Sequence, residues 1–119
     1  MFDELQGNWE VVSIELNGQD MLGNVKGVLT VVTGDEFTFG LQIKGRLLPM
    51  DVASTPRKVD FLFTEGGNEG RGIFPGIYVL NGDAWKICMA PPGQDRPKEF
   101  VTRPGTDHYA QTLKRAAAE

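Results

Sequence analysis

Over residues 36–44 the chain alternates in kind: Phe37, Phe39, Leu41 and Ile43 are apolar, while Glu36, Thr38, Gln42 and Lys44 between them are polar. A period of two fits a β-strand with one buried and one wet face, and fits no helix. The spacing predicts one strand over 37–43. Val59, Phe61 and Phe63 repeat the pattern against Lys58, Asp60 and Thr64, with Leu62 as an exception. Further strand-like runs cover 9–16, 28–33, 46–52, 73–80 and 84–89.

Turn chemistry separates these runs: Asn17-Gly18, Thr33-Gly34-Asp35, Ser54-Thr55-Pro56, Gly66-Gly67-Asn68 and Asn81-Gly82-Asp83. Such punctuation belongs to an antiparallel meander, and 15 glycines suit its tight turns and bulges. One hairpin offers two registers. A two-residue Asn81-Gly82 turn sets Val79 opposite Ala84 and Ile77 opposite Lys86. A three-residue loop over 80–82, with Gly82 left-handed, sets Ile77 opposite Trp85. The second is preferred because it gathers Ile77, Val79, Trp85, Ile87 and Met89 on one face and sends Tyr78, Lys86 and Cys88 to the other. At about 25 cal/mol per Å2 the extra burial contributes several kcal/mol.

The tail admits two readings. Asp107 suits the cap of a helix starting at His108, with Tyr109 and Leu113 four apart; alternatively 108–114 is a last strand. About eight short strands with one apolar face each must pack as two sheets or close into a barrel. Closure also removes unpaired edges and is the favoured arrangement.

With 119 residues, 40% of them hydrophobic and 24% charged, the chain suits a single domain over 1–119 with one core. The net charge of −4, with scattered basic residues, disfavours nucleic acid as a partner. The lone Cys88 has no intrachain disulfide partner and reads as a small strand residue. No run approaches the roughly 20 apolar residues of a membrane span, and the first ten residues lack the basic start and apolar stretch of a leader. The expectation is a cytoplasmic protein. A form cut from a longer secreted precursor, or an excised domain, would read the same way.

The ordered set Leu5-Gln6-Gly7-Asn8-Trp9, Gly76-Ile77-Tyr78-Val79-Leu80-Asn81-Gly82-Asp83, Lys86-Ile87-Cys88, Arg96-Pro97-Lys98-Glu99-Phe100 and Leu113-Lys114-Arg115 resembles an uncharacterised lipocalin-like domain family known mainly from planctomycete bacteria. The match spans residues 5–115. It implies an all-β, antiparallel up-and-down lipocalin-like (calycin-like) barrel of about eight strands. It also implies that the chain ends in a strand finishing at Lys114-Arg115, in place of a helix over 108–114. Tyr109-Ala110-Gln111-Thr112 is more polar than an apolar closing strand should be. The resemblance further implies a structural plug: Gly7 turns the chain into the first strand, Trp9 fills the barrel floor, and Arg115 stacks on its indole.

Chemistry-bearing residues are sparse. One histidine, His108, and one cysteine give no metal set and no nucleophile with its base, so no catalytic residue, metal site or cofactor is assigned and the chain is not expected to be an enzyme. His108 reads as a surface residue at a strand start. The run Gly66-Gly67-Asn68-Glu69-Gly70-Arg71-Gly72 lacks the lysine and Ser/Thr of a P-loop and reads as a hairpin loop. Asp35, Glu36, Asp60 and Glu65 read as solvated carboxylates on edges and turns. Arg96, framed by prolines in a long connection, aims at a carboxylate, either the protein's own or a ligand's.

Two functions follow. A small hydrophobic molecule could enter a barrel lined by Phe37, Phe39, Phe61, Phe63, Ile77 and Trp85, oriented by Arg96 or Tyr78. Alternatively the same aromatics fill the core, and a cavity-free domain serves a protein partner.

Overall fold

A computed structural model describes residues 3–21, 23, 28–40, 42–51, 56–67 and 70–116; Leu41, Val52, Ser54, Thr55, Asn68 and Glu69 lie outside them. Among the described residues the alternating runs become nine strands: β1 (Gly7–Leu16), β2 (Gln19–Asp20), β3 (Leu29–Thr33), β4 (Glu36–Phe39), β5 (Ile43–Asp51), β6 (Arg57–Glu65), β7 (Ile73–Asn81), β8 (Ala84–Met89) and β9 (Tyr109–Arg115). A short 3-10 turn, Asp3–Leu5, precedes them. Strands pair antiparallel in the order β1-β3-β4-β5-β6-β7-β8-β9, and β9 pairs back onto β1. Eight strands therefore close an up-and-down barrel, and β2 only extends the far end of β1. None of the described helical segments is long and apolar enough to cross a membrane.

The β1 sequence explains its own irregular spacing. Trp9, Val11 and Ile14 are buried, a step of two and then of three. A bulge against β9 between Val11 and Ser13 absorbs the extra residue, so Ile14 returns to the inner face opposite Gln111.

The strand predicted over 37–43 is instead a hairpin. β4 ends at Phe39, Gly40 takes φ +67°, and β5 begins at Ile43, paired with Phe39. A left-handed glycine reverses the chain at no steric cost, and residues paired across a hairpin point the same way. The alternation thus persists through the turn and hides it.

The β7–β8 register matches neither arrangement read from the sequence. Asn81 pairs with Ala84 around a two-residue Gly82-Asp83 turn, which sets Leu80 opposite Trp85, Tyr78 opposite Ile87 and Ile77 opposite Cys88. Tyr78 therefore joins Trp85 inside, whereas Ile77 goes outside with Cys88. The outer face of this hairpin is not wet, so placing Ile77 there loses no buried area. Ile77 and Cys88 are both buried there, where the 90–108 connection crosses the wall.

The tail is the closing strand β9, with Asp107 at φ +59° two residues before its start in place of a helix cap.

Candidate functional site

The barrel has unlike ends. At one, the 3-10 turn folds beneath β1 and Trp9 is fully buried, its Nε1 donating to the Leu5 carbonyl at 2.8 Å. Arg115 crosses the indole with its guanidinium 4.2 Å from the ring centre. It donates from Nη1 to the Gln6 carbonyl and from Nη2 to the Glu4 carbonyl, while Nε meets Asp83 Oδ1 at 3.2 Å. Gly7, at φ +113°, turns the chain between these groups, and a Cβ there would stand 3.8 Å from Arg115 Nη1. The cation satisfies the carbonyls that the turn leaves over while its flat face covers the plug. Trp85 stacks edge-on against Trp9 from inside, centroids 5.2 Å apart, and forms the next layer up.

Above Trp85 lies a cavity of about 470 Å3, reaching the loops at the opposite end. Its two sides differ. On the arc from β4 to β7 the wall is apolar and mostly phenyl: Phe37, Phe39, Phe61, Phe63 and Phe74, with Ile43 and Leu47 of β5 between them. Neighbouring rings meet edge to face, with centroids 5.1 to 6.0 Å apart. Two glycines seat them. A Cβ on Gly45, the partner of Phe37, would come within 2.6 Å of that ring, and one on Gly76 within 2.6 Å of the Phe61 ring.

On the arc through β3, β9 and β8 the wall carries polar atoms. Thr30 Oγ1, Gln111 Oε1 and Trp85 Nε1 are buried and have no hydrogen-bond partner among the described residues, and all three residues line the cavity. The polar character of 109–112 is explained by this placement: Gln111 faces the cavity, Tyr109 stands toward its mouth, and Ala110 and Thr112 border an outer cleft with Ser13, Glu15 and Phe100. Burial pushes the Tyr109 hydroxyl up to about 12. Arg71 and Asp107, the charged residues among those lining the cavity, both sit in loops at the mouth. The Arg71 guanidinium rests 5.2 Å from the Phe74 ring centre.

Five residues expected to line a cavity do so: Phe37, Phe39, Phe61, Phe63 and Trp85. Ile77 is on the outer face, and Tyr78 is packed below, against Trp85 and under Arg57. Arg96 is outside the barrel. Its Nη2 reaches Asp60 Oδ1 at 2.7 Å, and Nη1 donates to the carbonyls of Val59 at 3.1 Å and Gly76 at 2.8 Å. The carboxylate it aims at is thus the protein's own. Asp60, read as a solvated edge group, is 8% exposed, because Arg96 carries the 90–108 connection across it. Thr102 ties the same connection to β1, donating to Glu15 Oε1 at 2.8 Å and accepting from the Gly18 N–H at 2.7 Å.

Elsewhere, His108 Nε2 meets Gln94 Oε1 at 3.1 Å at the surface. Asp35 pairs with Arg46, and Glu65 with Lys44, as exposed ion pairs. The Cys88 thiol is pushed up to about 11, first by burial and then by the charge of Glu15. Among the described residues no three His, Cys, Asp or Glu side chains converge as a metal set.

Sequence reasoning missed Thr30, Phe74, Ile87, Met89 and Gln111 as cavity residues. The signal for Ile87 and Met89 was present, since they alternate with Trp85. For Thr30 and Gln111 the only hint was a polar residue at an inward position, which periodicity alone treats as noise.

Comparison with protein-family models, with curated proteins and with solved structures returned no match.

Proposed function

We propose that this chain is a non-catalytic, lipocalin-like binding domain that takes one small hydrophobic molecule into its barrel. The observation carrying this reading is the deep, mainly apolar cavity of about 470 Å3, within the roughly 300–1,000 Å3 that small-molecule sites occupy. Cores normally pack to crystal-like density, and an internal space of this size costs stability. A cavity-free interaction domain has no use for it. Turnover would call for a group that titrates near neutrality within reach of a substrate. The burial that lifts the Tyr109 hydroxyl to about 12 acts in the opposite direction.

Titration with N-phenyl-1-naphthylamine, an uncharged lipophilic fluorophore, tests the reading. Saturable uptake of one molecule per chain, with quenching of tryptophan emission, is expected. Ile87→Trp, which places an indole in the cavity, should abolish uptake in a folded protein. A linear, unsaturable response in the wild type sinks the proposal.

A further inference from the structure

Resting on that binding reading, we infer that the cavity selects an uncharged, flat molecule with a hydrogen-bond acceptor and a donor along one edge and an apolar body along the other. The two arcs of the wall dictate this division. Phe37, Phe39, Phe61, Phe63 and Phe74 on β4, β6 and β7 offer only ring faces and edges. Thr30, Gln111 and Trp85 on β3, β9 and β8 offer a hydroxyl, an amide oxygen and an indole N–H, each buried without a partner among the described residues. In the closed sheet only β1 intervenes between β3 and β9, so the three stand on one side of the barrel.

Each group states a requirement. The Trp85 N–H only donates, so its partner must accept; Gln111 Oε1 only accepts, so its partner must donate; the Thr30 hydroxyl does either. An analogue lacking these atoms leaves three buried polar groups unpaired, and sites built to bond a polar edge reject such analogues strongly. Charge is excluded by the surroundings. The cations at the floor are engaged by the protein itself: Arg115, beyond Trp9, by the carbonyls of Glu4 and Gln6 and by Asp83, and Arg57, over Tyr78, by Glu4. Arg71 and Asp107 lie at the mouth, so an ion driven to the inner wall would lose its water without a counter-charge.

Three probes of similar outline separate the possibilities: quinolin-2(1H)-one, with N–H and C=O on one edge; naphthalene, with neither; and 2-naphthoate, an anion. Binding is followed by proton–nitrogen correlation spectra of the two indoles. The Trp9 N–H, already bonded to Leu5, serves as the internal control. Quinolinone is expected to bind at least tenfold tighter than either of the others and to move the Trp85 indole signal downfield while Trp9 stays put. Gln111→Leu and Thr30→Val, close in shape to the originals, should cut the preference over naphthalene several-fold while the Trp85 signal still moves. Naphthalene binding as tightly as quinolinone with Trp85 unmoved, or naphthoate binding tightest, overturns the inference and leaves the binding reading intact. If none of the three binds while N-phenyl-1-naphthylamine does, this inference alone falls; if that fluorophore also fails, both fall.

Discussion

Arg115 closes its end of the barrel by lying flat on Trp9, guanidinium to ring centre 4.2 Å. The two residues are direct cross-strand partners in the β1–β9 pairing that completes the ring of strands. One contact therefore joins the two ends of the chain and covers the floor beneath the cavity. The 3-10 turn also depends on it, because Arg115 binds the Glu4 carbonyl within that turn and the Gln6 carbonyl just after it.

Arg115→Met should accordingly lose roughly 2 kcal/mol, the sum of a cation–π contact and partly exposed charge-assisted hydrogen bonds. Arg115→Lys should recover less than half, since an ammonium neither stacks nor forks. Urea unfolding followed by circular dichroism reads the effect, with an unchanged m-value expected. A loss under about 0.5 kcal/mol for the methionine variant, the range of ordinary surface changes, would show the stack to be ornamental.

The outer strap makes a different demand. Asp60 is 11% exposed at its side chain and faces Arg96 at 2.7 Å, so removing the cation strands a buried carboxylate. Arg96→Met should cost about 3–5 kcal/mol. The double variant Asp60→Leu/Arg96→Met should be more stable than Arg96→Met alone, because the uncompensated charge is gone; the carbonyls of Val59 and Gly76 still lose their donor. Thermal unfolding of the three proteins decides the order. Equal stability of the single and double variants would locate the damage in the lost carbonyl bonds instead.

Strand alternation was legible wherever a single phase ran through a segment, as in Val59, Phe61 and Phe63. The signal misled where two strands share one phase across a turn: Phe39 and Ile43 face each other, so their alternation continues through Gly40. At the β7–β8 hairpin the error was of another kind. Sequence reasoning knew one buried face per strand, yet residues 90–108 cross the outside of the barrel, where Arg96 bonds Asp60 and the carbonyls of Val59 and Gly76, and Ile77 is buried on that outer face too. Long-range cover of this sort has no local signature. The aromatic arc of the cavity could be read from inward phenylalanines. The polar arc could not, because Thr30 and Gln111 matter through the wall they share rather than through any spacing.

Alkaline pH provides a check on the buried thiol. The folded protein holds the Cys88 proton until about 11, above the ordinary value of 9.0, so between these limits the folded state binds more protons than the unfolded one. Stability is then fully present below pH 9 and falls as pH rises through 11. Cys88→Ala should flatten that decline when urea midpoints are compared between pH 8.5 and 10.5. At pH 8 the thiol should also react with a disulfide reagent only as fast as the protein opens. Rapid labelling in the native protein is the outcome that would contradict this burial.

The last expectation links packing to binding. Gly45 stands opposite Phe37, and a Cβ there would meet the Leu62 carbonyl at 2.5 Å and the Phe37 ring at 2.6 Å. The carbonyl belongs to the β5–β6 ladder and yields little, so the ring must move, and the space open to it is the cavity. Gly45→Ala should lower stability by about 1–3 kcal/mol, as overpacking does. It should also weaken N-phenyl-1-naphthylamine uptake several-fold by intruding on the bound molecule. Pairing the substitution with Phe37→Leu, which shortens the obstructing side chain, should restore much of the uptake. If Gly45→Ala loses stability yet binds the fluorophore as well as the wild type, then the phenyl wall is not where the ligand rests.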